Sequence, residues 1–223
     1  MTYRPRAIVC LSGGMDSVVC AALAAKDHET HALHFSYGQR TEKRELRAAQ
    51  DAAAYLQLAG FMHLSIDIFR KIGGSALTDP TIPIPTAPSA PLPTTYVPFR
   101  NTHFLAAAVS WAEVMGAKKI FVGAVEQDSS GYPDCRPEYY EAFNRLIRVG
   151  TGAGDVEVVT PLIQLRKFEI VRLGVETGAP LHVSWSCYSG EDVACGVCDS
   201  CVLRLRAFAA AGSVDAIPYH VAT

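Results

Sequence analysis

A pair of adjacent glycines follows a short apolar run near the start of the chain. The run from Ala7 to Cys10 predicts a strand, and the sequence LSGGMDS at 11–17 follows it directly. Adjacent glycines let the backbone approach a phosphate group, because no Cβ atom stands in the way. A helix that begins there presents N–H groups and the positive end of its dipole to an anion. No Gly-Lys-Ser/Thr follows, so the segment is a phosphate-binding turn of another kind than the Walker A loop.

Strand-like apolar runs alternate with helical patterns along the rest of the chain. We predict further strands at 30–35, 61–66, 119–123 and 156–159, and further helices at 41–58, 102–115, 137–147 and 167–176. This alternation is typical of an α/β fold with a parallel sheet and helices on both faces. Ligands of such sheets bind at the carboxyl ends of the strands, where residues 12–17 are expected.

Length and charge narrow the class of protein. A chain of 223 residues is expected to form one domain over 1–223. Its net charge of −2 argues against a large nucleic-acid surface, which would carry a basic surplus. No apolar run approaches the ~20 residues that span a bilayer. The first residues show no secretory signal, so we expect a cytoplasmic protein without a membrane partner.

Four cysteines near the C-terminus have the spacing of a metal site. Cys195, Cys198 and Cys201 form C-x2-C-x2-C, and Cys187 lies upstream. Four thiolates suit a tetrahedral Zn²⁺ ion, and an iron–sulfur cluster is the alternative. A closed four-thiolate site leaves no position for a substrate, which indicates a structural role. We therefore expect a C-terminal zinc-binding segment at about 184–210.

Several polar residues follow predicted strands or begin predicted helices. Asp16 stabilises the helix dipole or contacts Mg²⁺. Arg100 has the geometry to bind a phosphate or carboxylate, while Asn101 also suits an N-cap. Lys167 neutralises phosphate charge or is a solvated helix residue. Arg40, in Tyr-Gly-Gln-Arg at 37–40, is either a ligand contact or a surface charge.

Two irregular segments interrupt the pattern. The turn at 131–137 carries Tyr132 and Asp134, which suit a purine-sized pocket, although Pro137 equally suits a plain helix start. Residues 79–98 hold seven of the thirteen prolines and exclude a helix or central strand. That segment is a surface loop, a flap over the site or an oligomer contact.

Taken together, the motifs resemble one family. LSGGMDS at 11–17 resembles the SGGxDS pyrophosphate loop of the PP-loop ATP-pyrophosphatases. Within them the chain resembles the 7-cyano-7-deazaguanine synthases through SYGQR at 36–40, SALTD at 75–79, TYVPFRNTHF at 95–104, SGYPDCRPE at 130–138, TPLIQLRKFEI at 160–170, SWSCY at 184–188 and CGVCDSC at 195–201. The chain departs from the family pattern at 123–129, where GAVEQDS replaces the expected GVNAxDY.

The resemblance implies a Rossmann-like, adenine nucleotide alpha hydrolase-like fold and an ATP-dependent ligase. It implies that 7-carboxy-7-deazaguanine and ammonium become 7-cyano-7-deazaguanine through an adenylated carboxylate and an amide, in queuosine biosynthesis. Implied cofactors are one structural Zn²⁺ and Mg²⁺ with ATP, and the implied assembly is a homodimer. Nucleotide binding is assigned to Leu11, Ser12, Gly13, Gly14, Met15, Asp16, Ser17, Tyr37, Gln39, Arg100 and Asn101. Catalysis is assigned to Asp16, Lys167, Arg100, Asp134 and Arg136, and metal binding to Cys187, Cys195, Cys198 and Cys201.

Two other functions are considered. A tRNA-modifying PP-loop enzyme such as a thiolase would need a basic RNA surface and unliganded cysteines, and the net charge of −2 counts against it. A non-catalytic nucleotide-binding or zinc-bearing module would not need Asp16 or Lys167, and the intact glycine loop counts against that.

Overall fold

A computed structural model describes residues 3–85, 92–126 and 131–220. Its strands are β1 (Arg6–Cys10), β2 (Glu29–Ser36), β3 (Gly60–Ser65), β4 (Lys119–Val122) and β5 (Glu157–Val159). Its helices are α1 (Met15–Asp27), α2 (Glu42–Tyr55), α3 (Ile68–Ile72), α4 (Arg100–Met115), α5 (Pro137–Gly150), α6 (Lys167–Thr177) and α7 (Asp199–Ala211). A 3-10 turn, Pro133–Cys135, precedes α5.

The strands form one parallel sheet in the order β3-β2-β1-β4-β5. The chain moves outward from β1 through β2 to β3, and then returns to place β4 on the other side of β1. Connections from β1 and β4 therefore leave the sheet in opposite directions, which opens a crevice at their carboxyl ends. The glycine loop at 11–14 lies at that crevice.

Alternate strand residues face two hydrophobic cores. Ala7 and Val9 of β1 pack with α1, α2, α6 and α7, whereas Ile8 packs with α4 and α5. This division follows from the geometry of a strand, because successive side chains point to opposite faces. The predicted parallel sheet with helices on both faces is confirmed. Within the described residues, no helix has the length and apolar character to cross a bilayer.

The predicted elements agree with the structure to within a few residues, but two helices were not predicted. Helix α3 has only five residues, too few to show a helical period. Helix α7 begins in the cysteine run, with Cys198 as its N-cap and Cys201 in its first turn. The sequence there was interpreted by the spacing of its cysteines, and the helix that contains Cys201 was not recognised.

Buried polar contacts of Arg204 join α7 to the C-terminal tail and to the segment that precedes the cysteines. The Arg204 guanidinium donates two hydrogen bonds to Asp215, at 2.6 and 2.9 Å, and one to Ser184 Oγ at 2.8 Å. Tyr219 also donates to Asp215, at 2.7 Å. Because only 2% of Arg204 is exposed, each charge depends on its partners for solvation.

Candidate active site

A cavity of about 320 Å³ lies at the carboxyl ends of β1, β2 and β4. The glycine loop and the start of α1 form one wall, and the start of α4 with Tyr132 and Cys135 forms another. The C-terminal segment closes a third side through Trp185, Tyr188 and Arg204. The cavity therefore joins the predicted phosphate loop to the predicted ring-binding turn.

Within the loop, two serine hydroxyls hold the backbone in place. The Gly14 N–H donates to Ser12 Oγ at 3.2 Å, and Ser12 Oγ donates to Ser17 Oγ at 3.0 Å. Ser17 Oγ in turn donates to the Gly14 carbonyl at 2.8 Å. Gly13 has a φ of +90°, and a Cβ there would lie 2.5 Å from the Glu45 carbonyl oxygen. Glycine is thus required at 13 both by conformation and by space.

Strand β4 ends against the first turn of α1. A Cβ atom on Gly123 would lie 2.8 Å from backbone atoms of Asp16 and Ser17. The absence of a side chain at Gly123 lets β4 and the anion-binding end of α1 share one wall of the cavity. Of the segment that departs from the family pattern, residues 127–129 lie outside the described residues.

Asp16 and Lys167 form an ion pair inside the cavity. Lys167 Nζ donates to Asp16 Oδ2, although 151 residues separate the two in sequence. Asp16 Oδ1 is buried and has no partner among the described residues. One oxygen therefore holds the lysine, and the other has an unused acceptor position for a ligand or a hydrated cation.

Arg100 and Tyr37 form the wall beside the loop. Arg100 Nη1 donates to Tyr37 Oη at 2.9 Å, and the guanidinium lies 5.3 Å from the centre of the Tyr37 ring. Arg100 Nε is buried and has no hydrogen bond to any described residue. Burial raises the pKa of Tyr37 to about 12, so it is a neutral phenol near neutral pH.

The turn before α5 is held by Asn101. Its backbone N–H donates to Asp134 Oδ2 at 3.2 Å, and its Nδ2 donates to the Asp134 carbonyl at 3.0 Å. Asp134 Oδ1 is buried without a partner in the described parts of the chain. Tyr132 Oη bonds to Thr95 Oγ1 at 2.8 Å, which attaches the proline-rich segment to this wall.

Apart from the metal ligands, four of the predicted site residues do not line the cavity: Gly13, Gln39, Asp134 and Arg136. Gln39 bonds to the backbone of Phe35 and Tyr37 and to Glu45, so it supports the wall from behind. Arg136 is exposed at the start of α5. Gly13 acts through the backbone packing described above.

Arg40 and the proline-rich segment are joined. Arg40 donates to the carbonyls of Ala76 at 2.8 Å, Asp79 at 3.2 Å and Ile82. Arg40 therefore has a structural role, because it holds the backbone of residues 76–82 in place. The described parts of 79–98 hold no strand or regular helix before Arg100, as expected, and residues 86–91 lie outside the described residues.

The four predicted metal ligands come together. The sulfur atoms of Cys187, Cys195, Cys198 and Cys201 all lie within 4.8 Å of one another. Tetrahedral Zn–S bonds of about 2.3 Å place sulfur atoms about 3.8 Å apart, which is close to this spacing. Cys187 Sγ accepts N–H groups from Gly190 at 3.2 Å and Cys195 at 3.3 Å. Hydrogen bonds from Cys198 and Cys201 lower the pKa of Cys187 well below its usual range, which favours a thiolate.

The cysteine segment is bonded directly to the phosphate loop. The backbone N–H of Trp185 donates to the Gly13 carbonyl at 2.8 Å, and Thr41 Oγ1 donates to the Cys187 carbonyl at 3.2 Å. Arg44 lies 4.4 Å above the centre of the Trp185 ring. A metal bound by the four cysteines would thus stabilise the cysteine segment, and this segment supports the glycine loop.

A search of protein-family models finds one that spans most of the chain. The model described as "Queuosine biosynthesis protein QueC" matches residues 6–212. The chain belongs to the QueC family. This confirms the family that the motifs predicted.

Curated members of the QueC family are similar over nearly their whole length. A protein named 7-cyano-7-deazaguanine synthase from Acidobacterium capsulatum is 67% identical over 97% of each chain. One of the same name from Koribacter versatilis is 61% identical over 96% of this chain and 93% of its own. These names agree with the predicted enzyme class.

A solved structure supports the fold of this QueC family member. The U34-tRNA thiolase NcsA from Methanococcus maripaludis, solved with its [4Fe-4S] cluster, has a TM-score of 0.54 and covers 92% of this chain and 65% of its own. Its sequence is only 14% identical to this chain, so the likeness concerns the fold alone.

Sequence reasoning missed several cavity residues of this QueC family member. They are Cys10, Glu45, Gly123, Tyr140, Trp185, Ser186, Tyr188, Ser200 and Arg204. Glu45 is a buried carboxyl group among them, and burial raises its pKa although Thr41 and Gln39 donate hydrogen bonds to it. Trp185 lies in the SWSCY motif at 184–188, and this motif was the sequence signal that could have predicted the wall formed by the C-terminal segment.

Proposed function

We propose that the protein is an ATP-dependent ligase that converts 7-carboxy-7-deazaguanine and ammonia into 7-cyano-7-deazaguanine. The observation that carries the proposal is the single cavity in which the phosphate loop with Asp16 and Lys167 faces Arg100 and Tyr132. The names of relatives up to 67% identical support the choice of product.

In the first step, a carboxylate oxygen of the substrate attacks the α-phosphorus of ATP, and pyrophosphate leaves. The N–H groups at the start of α1, together with Ser12 and Ser17, receive the departing phosphates. Lys167 and Arg100 add positive charge where negative charge develops. Tyr37 holds Arg100 in position through its hydroxyl.

In the second step, ammonia attacks the acyl adenylate, and AMP leaves with one of the two carboxyl oxygens. The amide oxygen then attacks the α-phosphorus of a second ATP and displaces pyrophosphate, and loss of AMP and a proton leaves the nitrile. The formation of each nitrile therefore releases two AMP and two pyrophosphate, and each AMP carries one of the two carboxyl oxygens of the substrate. The residues contribute chiefly by positioning and by charge stabilisation.

On the substrate side, the turn before α5 recognises the ring. Asp134 lies next to the cavity residues Asn101 and Cys135 rather than in the cavity wall, and its Oδ1 is a buried acceptor without a partner in the described parts of the chain. We assign this oxygen to a ring N–H or amino group of the substrate. Asn101 keeps the Asp134 carboxylate oriented. Arg136, exposed at the start of α5, is assigned to the approach of the anionic substrate.

Two metals belong to the proposal. Asp16 Oδ1 would hold the Mg²⁺ that accompanies ATP, and this ion would supply positive charge to the phosphates. The four cysteines would hold one structural Zn²⁺, because their sulfur atoms lie as close as a single ion requires. A four-iron cluster would hold its ligating sulfurs further apart. We further propose a single-domain cytoplasmic homodimer that uses free ammonium.

Oxygen labelling tests the mechanism. Substrate with ¹⁸O in both carboxyl positions is incubated with Mg-ATP and ammonium, and the AMP is analysed by mass spectrometry. We expect two molecules of AMP per nitrile, each with one ¹⁸O. Label that instead enters inorganic phosphate, together with ADP formation, would exclude adenylation.

A further inference from the structure

One tyrosine hydroxyl beside the cavity has no partner among the described residues. Tyr140 lies on α5, lines the cavity and is only 3% exposed. Its hydroxyl is buried and makes no hydrogen bond with any described residue. Removing such a group from water without giving it a partner is unfavourable. A ligand that accepts or donates a hydrogen bond there would remove this cost.

Two cysteines that influence the Tyr140 hydroxyl also line the cavity. After burial, the strongest influence on the pKa of Tyr140 is the Cys135 thiol, and Cys10 also contributes; both cysteines line the cavity. The pKa of Tyr140 is raised well above its usual range, so the group is a neutral O–H donor. The hydroxyl therefore lies near two side chains of the cavity wall, to which Tyr140 itself belongs.

The neighbouring Tyr139, unlike Tyr140, has a hydrogen-bond partner for its hydroxyl among the described residues. Tyr139 Oη bonds to Thr102 Oγ1 at 2.8 Å, and Tyr139 does not line the cavity. The two rings are in edge contact, with centroids 5.0 Å apart. Within the described structure, adjacent residues of one helix thus carry one satisfied and one unsatisfied hydroxyl.

The walls near Tyr140 are apolar. Leu33, Phe35, Leu105 and Ala124 belong to the same hydrophobic cluster as Tyr140, and all of them line the cavity. An apolar slot with one neutral donor suits the polar edge of a flat, uncharged ring and does not suit a phosphate.

We propose that the Tyr140 hydroxyl donates a hydrogen bond to the edge of a purine-like ring bound in this slot. The proposal rests on the proposed function, which supplies two such rings, the deazaguanine of the substrate and the adenine of ATP. Tyr140 is then a specificity residue that no sequence motif indicated.

The test compares Tyr140→Phe with Tyr139→Phe. Each variant loses one oxygen, and only the first loses a hydroxyl that lacks a partner among the described residues. Calorimetry measures the Kd of 7-carboxy-7-deazaguanine and of ATP, steady-state kinetics measure the two KM values, and thermal unfolding measures stability. The wild-type assay comes first, so failure of the proposed function is seen as absent turnover, whereas the binding titrations still test Tyr140.

For Tyr140→Phe we expect a rise of about 5- to 10-fold in Kd and KM for one ring ligand, with an unchanged or higher Tm. A rise for the acid assigns the slot to the substrate, and a rise for ATP assigns it to adenine; either supports the proposal. For Tyr139→Phe we expect a lower Tm and unchanged Kd values. Both Kd values of Tyr140→Phe within about twofold of wild type would overturn the proposal.

Discussion

A single imidazole fixes the end of β1 from which the phosphate loop departs. His34 Nδ1 lies 2.8 Å from the Leu11 carbonyl oxygen, which can only accept, so Nδ1 carries the proton. Nε2 is buried without a partner in the described residues. Burial lowers the pKa of His34 to about 4, so the folded protein keeps this ring neutral.

This environment predicts a pH-dependent stability. The unfolded chain binds a proton on His34 near pH 6.5, whereas the folded chain does so only near pH 4. Stability is therefore retained above pH 6.5 and lost as the pH falls toward 4. Between about pH 7 and about pH 5 we expect wild type to lose about 2 kcal/mol more than His34→Leu, measured by denaturant unfolding. Equal losses would show that His34 is protonated equally in both states.

The second prediction at this scale concerns the ion pair in the cavity. Lys167→Met removes positive charge beside the phosphates, and we expect kcat to fall about 100-fold. Lys118→Met is the matched control, because Lys118 pairs with Asp155 at the surface, outside the cavity. We expect normal kcat for that control. Equal activity in the two variants would remove Lys167 from the mechanism.

Among the elements, the contact of β4 with α1 determines the shape of the phosphate site. In Gly123→Ala, the added Cβ meets backbone rather than a flexible side chain, so α1 or β4 must shift. We expect the KM for ATP to rise at least about tenfold. Gly150→Ala is the control, since a Cβ on Gly150 meets nothing within 4 Å. An unchanged KM in Gly123→Ala would show that the loop adjusts freely.

The elements also show how far the sequence could predict the structure. The individual strands, the glycine loop and the four-cysteine cluster were predictable because each is encoded by residues close together in the chain. The positions of Trp185 and Arg204 on the cavity were not, because they depend on hydrogen bonds between residues far apart in the sequence, Trp185 to Gly13 and Arg204 to Ser184. Arg40 was ambiguous for a similar reason, since its partners at 76–82 belong to no regular element.

At the scale of the whole molecule, the cysteine segment and the sheet are expected to unfold together. The Trp185 and Thr41 hydrogen bonds join the segment to the loop and to α2. We predict one zinc per chain by elemental analysis, and a single unfolding transition. Cys198→Ser should lose the metal, lower the Tm and weaken ATP binding, whereas Cys135→Ser should keep the metal. Iron with inorganic sulfide in place of zinc would contradict the assignment.

The central claim is the conversion of a carboxylate into a nitrile with ammonia as nitrogen source. The most direct measurement is mass spectrometry of 7-carboxy-7-deazaguanine incubated with the protein, Mg-ATP and ¹⁵N-ammonium. We expect a nitrile product with one ¹⁵N, and a ¹⁵N-amide at early times. Unchanged substrate, with protein that is folded and metal-loaded, would exclude the proposed reaction.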